Sequence, residues 1–139
     1  MAQDHVLVVE ADPIRREALR LLLGEVGGYT VTPVASTRDA LSLVARESFG
    51  LIITNTSVED PADGIRMSRV ILLRLQEAAP AIVAVTTQSD LSTILHCAET
   101  GVMDVLVHPY DPPQLLERVE RVLADRQGTD KAVLKQNVK

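Results

Sequence analysis

Five short apolar runs, each followed by an amphipathic stretch, constrain this chain more than any other feature. The runs are His5–Glu10 (HVLVVE), Tyr29–Val34, Gly50–Thr54, Ala81–Thr86 and Met103–Val107. Their lengths and richness in Val, Ile and Leu predict strands buried on both faces. The stretches between them predict helices: Pro13–Val26, one that starts behind Ser36 or Thr37, Gly64–Ala78, Asp90–Thr100, and one from Pro112 to about Arg126. Asp12 is placed to cap the first, with Pro13 in its first turn, and Gly27-Gly28 to stop it. Ile14, Leu19, Leu22, Leu23 and Val26 are expected on its inward face. Strand and helix repeated five times predict an α/β parallel sheet with right-handed crossovers.

The 139 residues suit one domain, expected over 1–126, with 127–139 a tail, a linker or a helical extension. Aromatic residues are few (Phe49, Tyr29 and Tyr110), so the predicted core is aliphatic. Net charge is −5; the segment from Arg126 onward carries +3, which leaves about −8 on the body. An acidic body argues against nucleic acid as a ligand, because phosphate binding needs a basic face. Cys97 is alone, which excludes an intramolecular disulfide and a multi-cysteine metal site. No apolar run approaches the ~18 residues of a membrane span, and no leader pattern follows Met1. A cytoplasmic protein without membrane contact is the expectation.

In an open parallel sheet, ligands bind outside the carboxyl ends of the strands. Those ends carry Glu10, Ala11 and Asp12, then Asn55, then Thr86 and Thr87, then His108. All should converge on one shallow pocket if the strand order is 2-1-3-4-5.

These residues carry a family resemblance. VLVVEADPIRREALRLLL, FGLIITN, IVAVTTQSD and AETGVMDVLVHPYDPPQLLERV follow one another in the order and spacing of the response regulator receiver domain, over roughly Val6 to Leu123. The resemblance implies a flavodoxin-like (CheY-like) fold of five parallel strands, order 2-1-3-4-5, with five helices on both faces. It also implies a mechanism. Two acids after strand one and an aspartate after strand three hold Mg²⁺, and the aspartate accepts a phosphoryl group from a histidine kinase. A lysine on strand five and a hydroxyl on strand four grip the phosphate, and an aromatic on strand five turns inward. The His108–Pro109 bond is implied to be cis.

The chain departs from that pattern residue by residue. Glu10 and Ala11 stand for the acidic pair, Asn55 for the acceptor, His108 for the lysine and Val105 for the switch aromatic, while Thr86 keeps the hydroxyl. The loop from Asn55 to Gly64 is one residue longer than the family's. An aspartyl phosphate needs a carboxylate nucleophile, and an amide is neutral and a poor one. Mg²⁺ seeks carboxylate oxygens, and Ala11 and Asn55 remove about two negative charges from its site. A histidine side chain is largely uncharged near neutral pH, where a lysine ammonium is not.

The expectation is therefore a degenerate receiver with no enzymatic activity and no cofactor, Mg²⁺ being absent or weak. It would act as a phosphorylation-independent interaction module. Its face would be helix four, strand five and the last helix, around His96, Val105, Pro109, Tyr110, Leu116, Glu120 and Arg121. Tyr110 reads as an exposed aromatic contact. Partners would be a histidine kinase, another receiver, a regulator or a second copy. A simpler reading makes Glu10 a strand-end acid facing solvent, Asp12 a helix cap, His108 a neutral imidazole hydrogen-bonded near Asn55, and Asp60 and Asp63 turn residues. It leaves His96 exposed and Cys97 in the core. The competing functions are a phosphoacceptor at Asp60, Asp63 or Asp12, with Glu10 or Asp12 as metal ligand, and a small-ligand sensor.

Overall fold

The computed structural model describes residues 4–56, 63–87 and 91–138, of which 126–138 are described as helix only. The expected Asp90 start of the fourth helix, and Asp60, lie outside the described residues. Five parallel strands form one sheet: β1 (His5–Val9), β2 (Thr30–Val34), β3 (Leu51–Asn55), β4 (Ala81–Thr86) and β5 (Asp104–Val107), in the order 2-1-3-4-5. The central strands β3 and β4 are buried along their whole length, as near-continuous apolar runs require. Pro33 sits on β2, an edge strand with one neighbour, where its missing N–H breaks no second ladder.

The helices are α1 (Pro13–Leu21), α2 (Thr37–Val44), α3 (Asp63–Leu75), α4 (Leu91–Thr100) and α5 (Pro112–Val138). Side chains alternate across the sheet and divide the core in two. Val6, Val8, Leu51, Ile53, Val83 and Leu106 meet Leu19 and Leu23 after β1 and Leu115, Val119 and Val122 of α5. Leu7, Val9, Ile52, Ile82 and Ala84 meet Ala40, Ile65, Ile71 and Cys97 on the opposite face. The buried residues of both layers are mostly aliphatic, with Phe49 the one aromatic ring among those described.

Helix ends differ from expectation in informative ways. The first helix does reach Val26, but Leu22–Val26 is a π turn, with Gly27 N–H donating to the Leu22 carbonyl at 3.0 Å. Gly28, at φ 78°, ends it, and Tyr29 N–H returns to the Leu23 carbonyl. The wider turn rotates the apolar stripe, so Val26 is 70% exposed; Ile14, in the first turn above the strand ends, is 79% exposed. Neither faces the core as the periodicity predicts. The expected Gly64–Ala78 helix breaks at Gln76, at φ 49°, and finishes as a 3₁₀ turn. The last helix runs past Arg126 to Val138.

Candidate functional site

Glu10, Asn55 and His108 meet at the carboxyl ends of the strands, as the strand-end rule predicts. Parallel register aligns Asn55 with Val85, and Val85 with Leu106 two residues before His108. All point to the α1/α5 side of the sheet, in line with Val8, Ile53 and Val83. They line a pocket of about 70 Å³ with Arg15, Ala18, Leu19 and Tyr110. That volume is far below the ~300 Å³ at which small-molecule sites begin.

Glu10 does not face solvent. It is 5% exposed, and its N–H extends the β1–β2 ladder to the Val34 carbonyl at 3.0 Å. Its carboxylate is held from two sides: Asn55 Nδ2 donates to Oε1 at 3.0 Å and Asp12 N–H donates to Oε2 at 3.1 Å. A carboxylate only accepts, so the nitrogen of the Asn55 amide must be the atom turned toward it. Asn55 is itself 9% exposed. Asp12 caps α1 through Arg15 N–H at 3.0 Å, as expected.

The strand-four residues behave differently. Thr86 is 1% exposed, and its carbonyl accepts from His108 N–H at 2.7 Å. Strand alternation puts its side chain on the α3/α4 side with Ala84, opposite to Asn55; Val85 supplies the pocket wall instead. Val105, in register with Ala84, also packs on that side. Thr87 is exposed and does not line the pocket, and neither does Ala11. Asp63 lies in the first turn of α3, 3.5 Å from Arg66, and also stays out of the pocket lining.

Tyr110 is the main correction. It does not stand out as a surface contact; it is half-buried and packs against the α1/α5 core layer. Its ring meets the His108 imidazole edge-on at 5.7 Å, so His108 pairs with an aromatic and not with Asn55. Burial, then the Glu10 charge, push the Tyr110 phenol above its ordinary range, against the opposing pull of Arg15. The sequence signal was available: an aromatic two residues past a strand end lies within reach of that strand's pocket. The His108–Pro109 bond is cis.

The expected interaction face also divides. His96 is exposed on α4, and Cys97 behind it is fully buried, as read. Pro109 is exposed and Arg121 stands 3.7 Å from Asp104 of β5. Leu116 packs instead toward Gly27, and Glu120 bears electrostatically on Tyr29, so both lie on the α1 flank. A helix presents residues three and four apart on one side. Leu116 and Glu120 share that flank, whereas Arg118 and Arg121 share the flank beside β5.

The Mg²⁺ implied by the resemblance does not fit these donors. Glu10 already accepts two N–H groups, Ala11 has no ligand atom, and Asn55 turns its donor nitrogen to the carboxylate. Among the described residues no buried side-chain nitrogen or oxygen lacks a hydrogen-bond partner, and no group of three metal-binding side chains occurs. Among them, too, no helix is long and apolar enough to cross a membrane.

Comparison with known proteins gives a consistent picture. The model of the response regulator receiver domain matches residues 6–120. The chain is 33% identical over 122 residues to an uncharacterized 14.6 kDa protein of Leptolyngbya boryana, covering 87% of this chain and 91% of that protein. It is 30% identical over 125 residues to the transcriptional regulatory protein ZraR of Escherichia coli, covering 90% of this chain but 27% of that protein. Among solved structures, a CheY-like response regulator receiver domain protein from Methanospirillum hungatei superposes with a TM-score of 0.81 at 21% identity, over 90% of this chain and 97% of that one.

Proposed function

This chain belongs to the response regulator receiver-domain family of two-component signalling, and from that premise we propose that it signals by binding, without phosphorylation. One observation carries the reading: an amide stands at the end of β3 where the family's chemistry needs a nucleophilic carboxylate, and it is hydrogen-bonded to Glu10. With Asn55 and Glu10 satisfying each other, neither the nucleophile nor its cation has a place in the pocket. Asp12 and Asp63, the described alternatives for a relocated acceptor, are engaged elsewhere by Arg15 N–H and Arg66.

The partner surface in this reading is the α4–β5–α5 side, reduced to His96, Val105, Pro109 and Arg121. Leu91 and Leu95 lie four residues apart on α4 at 68% and 50% exposure and supply apolar area there. A histidine kinase, another receiver, a regulator or a second copy are the partners this chemistry suits. The deciding experiment is incubation with Mg²⁺ and acetyl phosphate, followed by intact mass. The mass is expected to stay unchanged; gain of one phosphoryl group overturns the proposal.

A further inference from the structure

We propose that Arg16 is the positioning residue that holds the Glu10–Asn55 pair closed. The segment from Glu10 to Asp12 leaves the sheet and enters α1 within three residues, so its carbonyls lose their ladder partners. Arg16 supplies them. One guanidinium nitrogen, Nη1, donates to the Glu10 carbonyl at 3.0 Å and to the Ala11 carbonyl at 3.2 Å. Arg16 is itself anchored, its own N–H bonding the Asp12 carbonyl at 2.9 Å in the first turn of α1.

The polar groups of this turn form a closed circuit. Glu10 Oε2 takes Asp12 N–H, the Asp12 carboxylate takes Arg15 N–H, and Arg16 takes the two carbonyls behind them. The Glu10 backbone sets where its carboxylate points, and that carboxylate is the acceptor for Asn55. Arg16 therefore acts on Asn55 through Glu10 without touching it. A guanidinium suits this task because the two N–H donors of Nη1 are fixed in one plane, one for each carbonyl, whereas a lysine ammonium sits on a flexible stem and its rotating donors hold the two carbonyls less firmly. The inference rests on the reading of Asn55–Glu10 as a pocket closed on itself, but it has its own test.

The test is NMR of the full chain carrying Arg16→Met or Arg16→Lys, with the backbone amides of Ile82 and Val83 reporting whether the sheet is intact. In Arg16→Met the Asn55 side-chain amide resonances should shift and exchange with solvent about tenfold faster, the scale of one lost hydrogen bond. Arg16→Lys should fall between it and the wild type. If Arg16→Met does not fold, Arg16→Lys decides alone. Asn55 amide resonances at their wild-type positions, in either variant with an intact sheet, overturn the role of Arg16. That result would leave the phosphorylation reading untouched, because the latter falls only on the mass measurement.

Discussion

Asn55 and Glu10, 45 residues apart in sequence, share a 3.0 Å hydrogen bond between the ends of β3 and β1. The bond joins a neutral donor to an anion. Two carboxylates at that separation would repel unless a cation lay between them. The amide thus links the two strand ends where a receiver with a complete acidic set would use a metal.

Replacing the amide tests this directly. Asn55→Asp sets a second carboxylate against Glu10, and like charges raise the apparent pKa of such a pair in the folded state. The unfolded chain ionises both near pH 4, so stability relative to the wild type should fall as pH rises from about 4 towards 7. A loss of about 1–2 kcal/mol at pH 7, partly recovered by added Mg²⁺, is expected from urea denaturation. Equal losses at pH 4 and pH 7 would contradict it.

Gly64 and Gly24 should respond in opposite directions to alanine. A Cβ on Gly64 would collide with the Asn55 carbonyl oxygen and lie 2.9 Å from Thr54 Oγ1. That crowding should cost about 1–3 kcal/mol and disturb the pocket. A Cβ on Gly24 meets its nearest atoms at an ordinary 3.8 Å, within a helical turn. Gly24→Ala should stabilise by about 0.5–1 kcal/mol, and thermal melts of the two variants check both signs.

Arg118 Nη1 reaches both carboxylate oxygens of Asp104 at 3.0 Å, while Asp104 Oδ1 also accepts from Val105 N–H at 2.8 Å. The pair is partly exposed, at 26% and 21%, so solvent screens it. Arg118→Ala is expected to cost about 1 kcal/mol in chemical denaturation, less at high salt. Asp104→Asn should cost no more, because the amide oxygen still accepts from Val105. A larger loss for Asp104→Asn would assign the difference to Arg121, which stands 3.7 Å from the same carboxylate.

Tyr29 and Tyr110 are both held above the ordinary phenol range, first by burial and then by the nearby acids Glu120 and Glu10. A phenol whose pKa is raised on folding contributes stability in full below its unfolded value near 10, and loses it as pH climbs through the folded value. Stability should therefore decline above about pH 10, and Tyr110→Phe should flatten that decline. Ultraviolet titration of the phenolates alongside melts at each pH reads both effects.

The strand order was legible only through the family resemblance, but the five strand–helix pairs and the placement of Glu10, Asn55 and His108 at strand ends were legible from the residues themselves. They follow from local periodicities: a buried strand declares itself by an apolar run, a crossover by its helix, and a pocket by which residues end the strands. What periodicity could not supply was direction at the ends of elements. Thr86 and Asn55 both end buried strands, yet register turns them to opposite faces. Tyr110 folds into the pocket because α1 offers it an apolar wall, and Leu116 leaves the expected interface because Gly27 leaves room for it. Glu10 reads as an exposed acid on its own strand and becomes a buried one only when β3 brings the Asn55 amide to it. Whether a polar side chain is covered depends on partners that arrive from distant segments, and chain order holds no record of that until the sheet assembles.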